Sequence, residues 1–174
     1  METRQPFWVV AVGGEPRARV LAYPQTMSAV RITHEWLIAF VRETAIGVVA
    51  TVSASGAPEA ALVGIAATDL GDLLFNTEVR SRKFDNLTRQ ASIAVVISAG
   101  EISVQLEGLA EILDGDSRQE CAQIYETQFP DSRAMAPNFA LVRVRTPWLR
   151  YYDARLSSHE VIEQILDTNN PSST

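Results

Sequence analysis

The sequence predicts a mainly β domain of the α+β class, built as a small antiparallel barrel with a few flanking helices. Apolar runs of strand length follow one another closely from Ile46 onward, and Gly, Ser and Pro residues interrupt them at short intervals. Too few helical stretches lie between these runs for a βαβ sheet, which favours antiparallel pairing and a closed or nearly closed barrel.

The bulk properties suit such a domain. A chain of 174 residues with 47% hydrophobic and 21% charged residues can bury one core without metal or disulfide staples. Its 15 basic and 21 acidic residues give a net charge of -6, a surface that repels nucleic acid and anionic lipid, so any anion site has to be local. The apolar runs are too short to span a bilayer. Cys121 is the single cysteine and cannot close an internal disulfide, and the start of the chain lacks the pattern of a secretory leader; both point to a cytoplasmic protein.

Taken in order, residues 1–26 form an N-terminal extension, read either as a hairpin across Gly13 and Gly14 or as sequence upstream of a start at Met27. The main domain runs over residues 27–156. Thr33 is placed to cap a helix through Glu43, whose Trp36, Leu37, Phe40 and Val41 make an apolar stripe that lids the barrel. Ile46–Val52 is a β-branched strand, Ser53–Pro58 a turn, and Glu59–Ala67 the second arm of a hairpin. A short strand ends at Asn76 and Thr77, and Ser92–Ser98 is another. Ile102–Leu113 and Phe139–Arg145 alternate as strands with one wet face, and Trp148–Asp153 is a final strand. Asp116–Gln128 reads as a helix with Cys121, Ile124 and Tyr125 near one face; Ser158–Leu166 reads as a short amphipathic helix, so residues 157–174 are expected to be a C-terminal helix and flexible tail.

The segment with the clearest chemistry is Asn76–Leu87, NTEVRSRKFDNL. Arg80, Arg82 and Lys83 place three positive charges within four residues of an acidic chain, and Ser81 is a good N-cap for a helix through Asn86. Backbone N–H groups at a helix start, the positive end of its dipole and cationic side chains together make a phosphate socket; the alternative is a solvated turn pairing with Glu78 and Asp85. Lys83 is the one lysine among 15 basic residues. Other chemistry finds little support. His34 and Glu35 lack zincin spacing, two histidines and a lone cysteine make no zinc site, Gly13-Gly14 lacks Rossmann spacing, and Ser53 and Ser55 lack the partners of a hydrolase triad. No metal ligands and no acid or base catalyst are assigned.

The order IGVVATVSASGAPEAALVGIA, LLFNT, SRKFDNL, SIAVVIS and VQLEGLAEI over Thr33–Asp153 resembles the FMN-binding split barrel of the pyridoxamine 5'-phosphate oxidase superfamily. Its most specific element is a Thr four residues before a Ser-Arg-Lys triplet, here Thr77 before Ser81, Arg82 and Lys83. The resemblance implies a six-stranded Greek-key barrel and a homodimer with flavin at the interface. It implies Arg82 and Lys83 on the FMN phosphate, with Thr77 and Ser81 hydrogen-bonding the phosphate or ribityl chain and Asn76 beside them in the cofactor set. Leu62, Val63, Gly64 and Ile65 are expected along the isoalloxazine, Gly64 giving close approach.

The chain departs from the family's pattern. Ala61 stands where the oxidases carry a second-strand arginine for the FMN phosphate, and Ala66 where they carry a substrate-phosphate lysine. Tyr125 matches a substrate tyrosine, but Phe129 stands where an arginine is expected, and Ser103 rather than Gln105 aligns with a flavin-contacting glutamine before Glu107 and Gly108. The family's substrate arginine and histidine are not recognisable in RYYDARLSSHE. The expected function is therefore an FMN-dependent oxidoreductase with a small-molecule electron donor or acceptor, distinct from a true pyridoxamine phosphate oxidase. The alternatives are a reductase using the deazaflavin F420 on the same fold, or a flavin binder or dimeric scaffold without turnover.

Overall fold

A computed structural model describes residues 31–155 and 161–166. The expectations for residues 1–26, Met27 and the C-terminal tail lie outside the described residues. Helix α1 (His34–Thr44) begins at Thr33, whose hydroxyl accepts from Trp36 N at 3.2 Å, a cap worth about 1 kcal/mol. Strands β1 (Ile46–Val52), β2 (Pro58–Gly64), β3 (Ala66–Ala67) and β4 (Leu73–Glu78) follow, then helix α2 (Arg82–Arg89), β5 (Ser92–Ala99) and β6 (Ile102–Ile112). Helix α3 (Gly115–Gln128), β7 (Phe139–Asp153) and β8 (Val161–Ile165) complete the order.

All strand pairs are antiparallel, in the order β2-β1-β5-β6-β7-β4-β3 with β8 added on β7. β5, β6 and β7 form a meander and β4 returns to the far side of β7, which is Greek-key connectivity. β2 and β3 lie at opposite ends of this path although Ile65 alone separates them in sequence. The sheet must therefore curl until its two ends meet at that residue, which makes the split barrel. The run Glu59–Ala67, expected as one strand, breaks there: Ile65 turns its N–H to Ala45 O at 3.0 Å and buries its side chain in the core.

Among the described residues the strand count is eight where six were expected. β3 arises from the break at Ile65, Trp148–Asp153 is the second half of the long β7, and the segment read as the helix Ser158–Leu166 contains the strand β8. In VIEQI, Ile162 and Gln164 turn inward while Val161, Glu163 and Ile165 stay exposed, a period of two that pairing with Trp148–Tyr152 selects over a helix. The Gln164 carboxamide then ties this edge to residue 32, accepting from Ile32 N at 2.9 Å and donating to Ile32 O at 2.7 Å.

Leu37, Phe40 and Val41 of α1 seal the barrel interior against Val49, Val95, Ile97, Val104, Leu106, Val142, Val144 and Leu149. Each of these buried side chains contributes about 1.5–3 kcal/mol. A second cluster, with Ala66, Leu74, Cys121, Ala122, Tyr125 and Leu141, packs α3 on the barrel's outside, and Cys121 is a buried free thiol within it. At the β6 bulge, Gly108 is required, since a Cβ there would sit 1.9 Å from Arg145 O. Among the described residues no helix is long and apolar enough to cross a membrane.

Candidate functional site

The turn between β4 and α2 draws the predicted phosphate residues together. Ser81 N donates to Glu78 O at 3.0 Å, which folds the chain back, and the Ser81 hydroxyl caps α2 by accepting from Phe84 N at 3.3 Å. Thr77 is the buried end of β4; its hydroxyl lies 2.8 Å from Ser81 Oγ and accepts from Lys83 Nζ at 3.0 Å. Partial burial pushes the Lys83 ammonium below the ordinary lysine value of 10.5, with Glu78 acting in the opposite direction.

Ser81 and Lys83 border a cavity of about 230 Å³ under the β1–β2 hairpin, lined also by Thr51, Glu59, Ala61 and Arg82 among others. Ala61 presents only a methyl group to this space. Arg82 is exposed and its guanidinium pairs with the half-buried Glu59, a residue the sequence reading had not singled out. The other Glu59 oxygen accepts from Asn86 Nδ2 at 3.0 Å, and the same amide donates to Thr51 Oγ1 at 3.0 Å.

The remaining predicted residues divide. Asn76 faces α3 rather than the turn, its Oδ1 accepting from Tyr125 Oη at 3.2 Å. Gly64 O also accepts from Tyr125 Oη, at 3.3 Å, and the space a Cβ would need at Gly64 is held by Phe129 Cζ at 3.0 Å and Tyr125 Oη at 3.2 Å. The close approach at Gly64 is thus made by α3. Tyr125 packs on Phe129 at 4.8 Å between ring centroids, and burial raises its phenol above the ordinary value. Ile65 is wholly in the core, with its carbonyl accepting from Gln128 Nε2 at 3.2 Å. Val63 packs on the core from β2, while Leu62 points outward and is 69% exposed.

Leu62 has company on that outer face. Val48 lies opposite Leu62 on one side and Val96 on the other, so an exposed apolar row crosses β2, β1 and β5, with Ile46 and Val52 extending it along β1. The row lies on the opposite face of β1 and β2 from the one that lines the cavity, since Val48, Val52 and Leu62 alternate with Val49, Thr51, Glu59 and Ala61.

The family model for pyridoxamine 5'-phosphate oxidase matches residues 33–153, most of the described structure. The chain belongs to the pyridoxamine 5'-phosphate oxidase family. No curated protein matches the sequence. Solved structures similar to this family member include a heme binding protein from Mycobacterium smegmatis, with TM-score 0.66 and 17% identity over 78% of this chain and 59% of that one. The chain thus spans 59% of the length of that protein. General Stress Protein 26 from Bacillus anthracis matches with TM-score 0.57 and 20% identity over 75% of this chain and 98% of the other. A pyridoxamine 5'-phosphate oxidase-related, FMN binding protein from Nostoc punctiforme matches with TM-score 0.54 and 16% identity over 75% and 93% of the two chains. At these identities the likeness establishes the split-barrel fold of the pyridoxamine 5'-phosphate oxidase family.

Proposed function

We propose that this member of the pyridoxamine 5'-phosphate oxidase family is a cytoplasmic, homodimeric flavin-dependent oxidoreductase that takes FMN. The observation that carries the reading is the convergence of Lys83 Nζ, Thr77 Oγ1 and Ser81 Oγ beside a cavity of about 230 Å³ at the N-terminus of α2. One ammonium, two hydroxyls and a helix start fit a phosphate terminus. Lys83, Ser81 and Thr77 would hold the phosphate, with Arg82 at the rim. The edge strand β2 offers Leu62 and Val63 and, on its outer side, backbone groups without a strand partner among the described residues, which suits a flat ring with a polar edge.

A bound flavin supplies hydride or electron transfer. The chain's own residues anchor the phosphate, orient the ring along β2 and, through the Leu62–Val48–Val96 row, offer an apolar face to a second copy. The acceptor is a small molecule without a phosphate dianion. At the positions where the family's pattern places counter-charges for one, Ala66 is buried under α3 and Phe129 packs on Tyr125, so neither supplies a cation.

Deazaflavin F420 is the second reading. It is favoured by a groove of about 390 Å³ that lies beyond Glu59 and Arg82, lined by Ser53, Ser55 and Arg89, with room for a chain continuing past a phosphate. Native mass spectrometry after aerobic purification tests both: a dimer carrying FMN is expected, F420 mass selects the second reading, and a chain that retains and rebinds neither overturns the flavin assignment.

A further inference from the structure

Glu59 is an acidic side chain built into a socket whose other charged members are cationic. Its side chain is 16% exposed and fixed from two sides, by the Arg82 guanidinium on one oxygen and by Asn86 Nδ2 at 3.0 Å on the other. Asn86 is itself buried and held in place by Thr51 Oγ1 at 3.0 Å and by Arg89 Nη2, which donates to Asn86 Oδ1 at 3.2 Å. Glu59 and Arg82 line both the socket cavity and the adjoining groove, so their ion pair forms the wall between the two.

The charge count follows from those contacts. Arg82 and Lys83 bring two positive charges to the socket and Glu59 removes one, which leaves a net single positive charge facing the ligand. A phosphate monoester carries close to two negative charges at neutral pH, because its second pKa lies near 6, whereas a phosphodiester carries one. A fixed carboxylate a few ångströms away penalises the second charge, and in a partly buried site that penalty is on the order of tenfold in affinity or more.

We infer that Glu59 is the specificity-determining residue of the socket: by holding Arg82 away from the ligand it discriminates by phosphate charge, handicapping a doubly charged monoester relative to a singly charged diester. The inference rests on the flavin reading of the socket.

The test titrates the purified full chain and its Glu59→Gln variant with three flavins, FMN, the monomethyl phosphate ester of FMN, and riboflavin, followed by quenching of flavin fluorescence. In Glu59→Gln, FMN is expected to bind at least about tenfold more tightly, the methyl ester to gain much less, and riboflavin to stay unchanged. Adding Arg82→Ala to Glu59→Gln is expected to cancel the FMN gain, since the released guanidinium is its source. Equal changes for all three flavins, or none, overturn the Glu59 assignment while leaving the flavin reading intact. Binding of no flavin to either folded protein overturns the flavin reading and the assignment with it. If Glu59→Gln fails to fold, Glu59→Ala, which removes the carboxylate and frees Arg82, is read in the same titration and must shift FMN in the same direction.

Discussion

Lys83 Nζ donates to Thr77 Oγ1 at 3.0 Å across the turn that joins β4 to α2, and Thr77 in turn lies 2.8 Å from Ser81 Oγ. The ammonium is thus positioned by the strand end that precedes the turn, and the cap of the following helix belongs to the same chain of contacts. A residue that could sweep freely through solvent is pinned where the helix dipole is most positive.

Replacing this group is the most direct perturbation. Arg82→Ala combined with Lys83→Ala is expected to abolish flavin retention through gel filtration while leaving the elution volume and thermal unfolding nearly unchanged, because neither side chain belongs to the core. Retention of FMN equal to that of the parent places the socket elsewhere.

Burial lowers the Lys83 ammonium below 10.5, so the charged form that a phosphate needs disappears at a lower pH than for a free lysine. FMN affinity is expected to fall as pH rises on the alkaline side, beginning below 10.5, whereas riboflavin affinity does not follow it. For the unliganded chain the sign is opposite: burying a cation is unfavourable, so stability gains from Lys83 as pH climbs through its depressed folded value toward the ordinary one. A flat FMN affinity across that range removes Lys83 from the phosphate.

Asp153 ends β7 nearly fully buried, accepting from Arg155 Nε at 2.8 Å, Arg155 Nη2 at 2.6 Å and Tyr151 Oη at 3.0 Å. The Arg155 guanidinium holds its carboxyl down to about 2, against an ordinary 3.8. This lowered value stabilises the fold above the ordinary pKa, and the contribution is lost as pH falls from about 3.8 through about 2. Asp153→Asn is expected to cost about 2 kcal/mol at neutral pH and to flatten the acid limb of the melting temperature against pH. An unchanged acid limb sinks this account.

Gly108→Ala is expected to cost at least about 3 kcal/mol in denaturant unfolding, because the new methyl meets backbone rather than a side chain that could rotate away. A variant as stable as the parent means that the bulge between Glu107 and Leu109 is shaped differently.

Leu62→Glu introduces a charge at the β2 end of the exposed row shared with Val48 and Val96. Light scattering is expected to report a single chain instead of a pair, with the circular dichroism spectrum retained. A dimer that survives this change uses another face.

The parts legible in the sequence were those that local chemistry decides. Ser81 is a cap by residue type and Thr33 another, and the structure starts α2 and α1 immediately after them. The boundaries of β1 coincide with the run Ile46–Val52 because turn residues follow it directly. What stayed hidden depends on partners distant in the chain. Glu59 finds Arg82 and Asn86 at separations of 23 and 27 residues, and nothing in EAALVGI reveals that its carboxylate turns into the socket. The only local sign was alternation, which sends Glu59, Ala61 and Val63 to one face of β2 and Leu62 to the other. VIEQI suits helix and strand equally, and the open edge of β7 decides the matter.

The corner at Ile65 has a mechanical corollary. Where the two borders of the sheet converge, a covalent bond does the closing that a ladder of hydrogen bonds does elsewhere, so that corner cannot part without unfolding. Strand β3 therefore stays beside the end of β2 whatever rearranges elsewhere along the sheet.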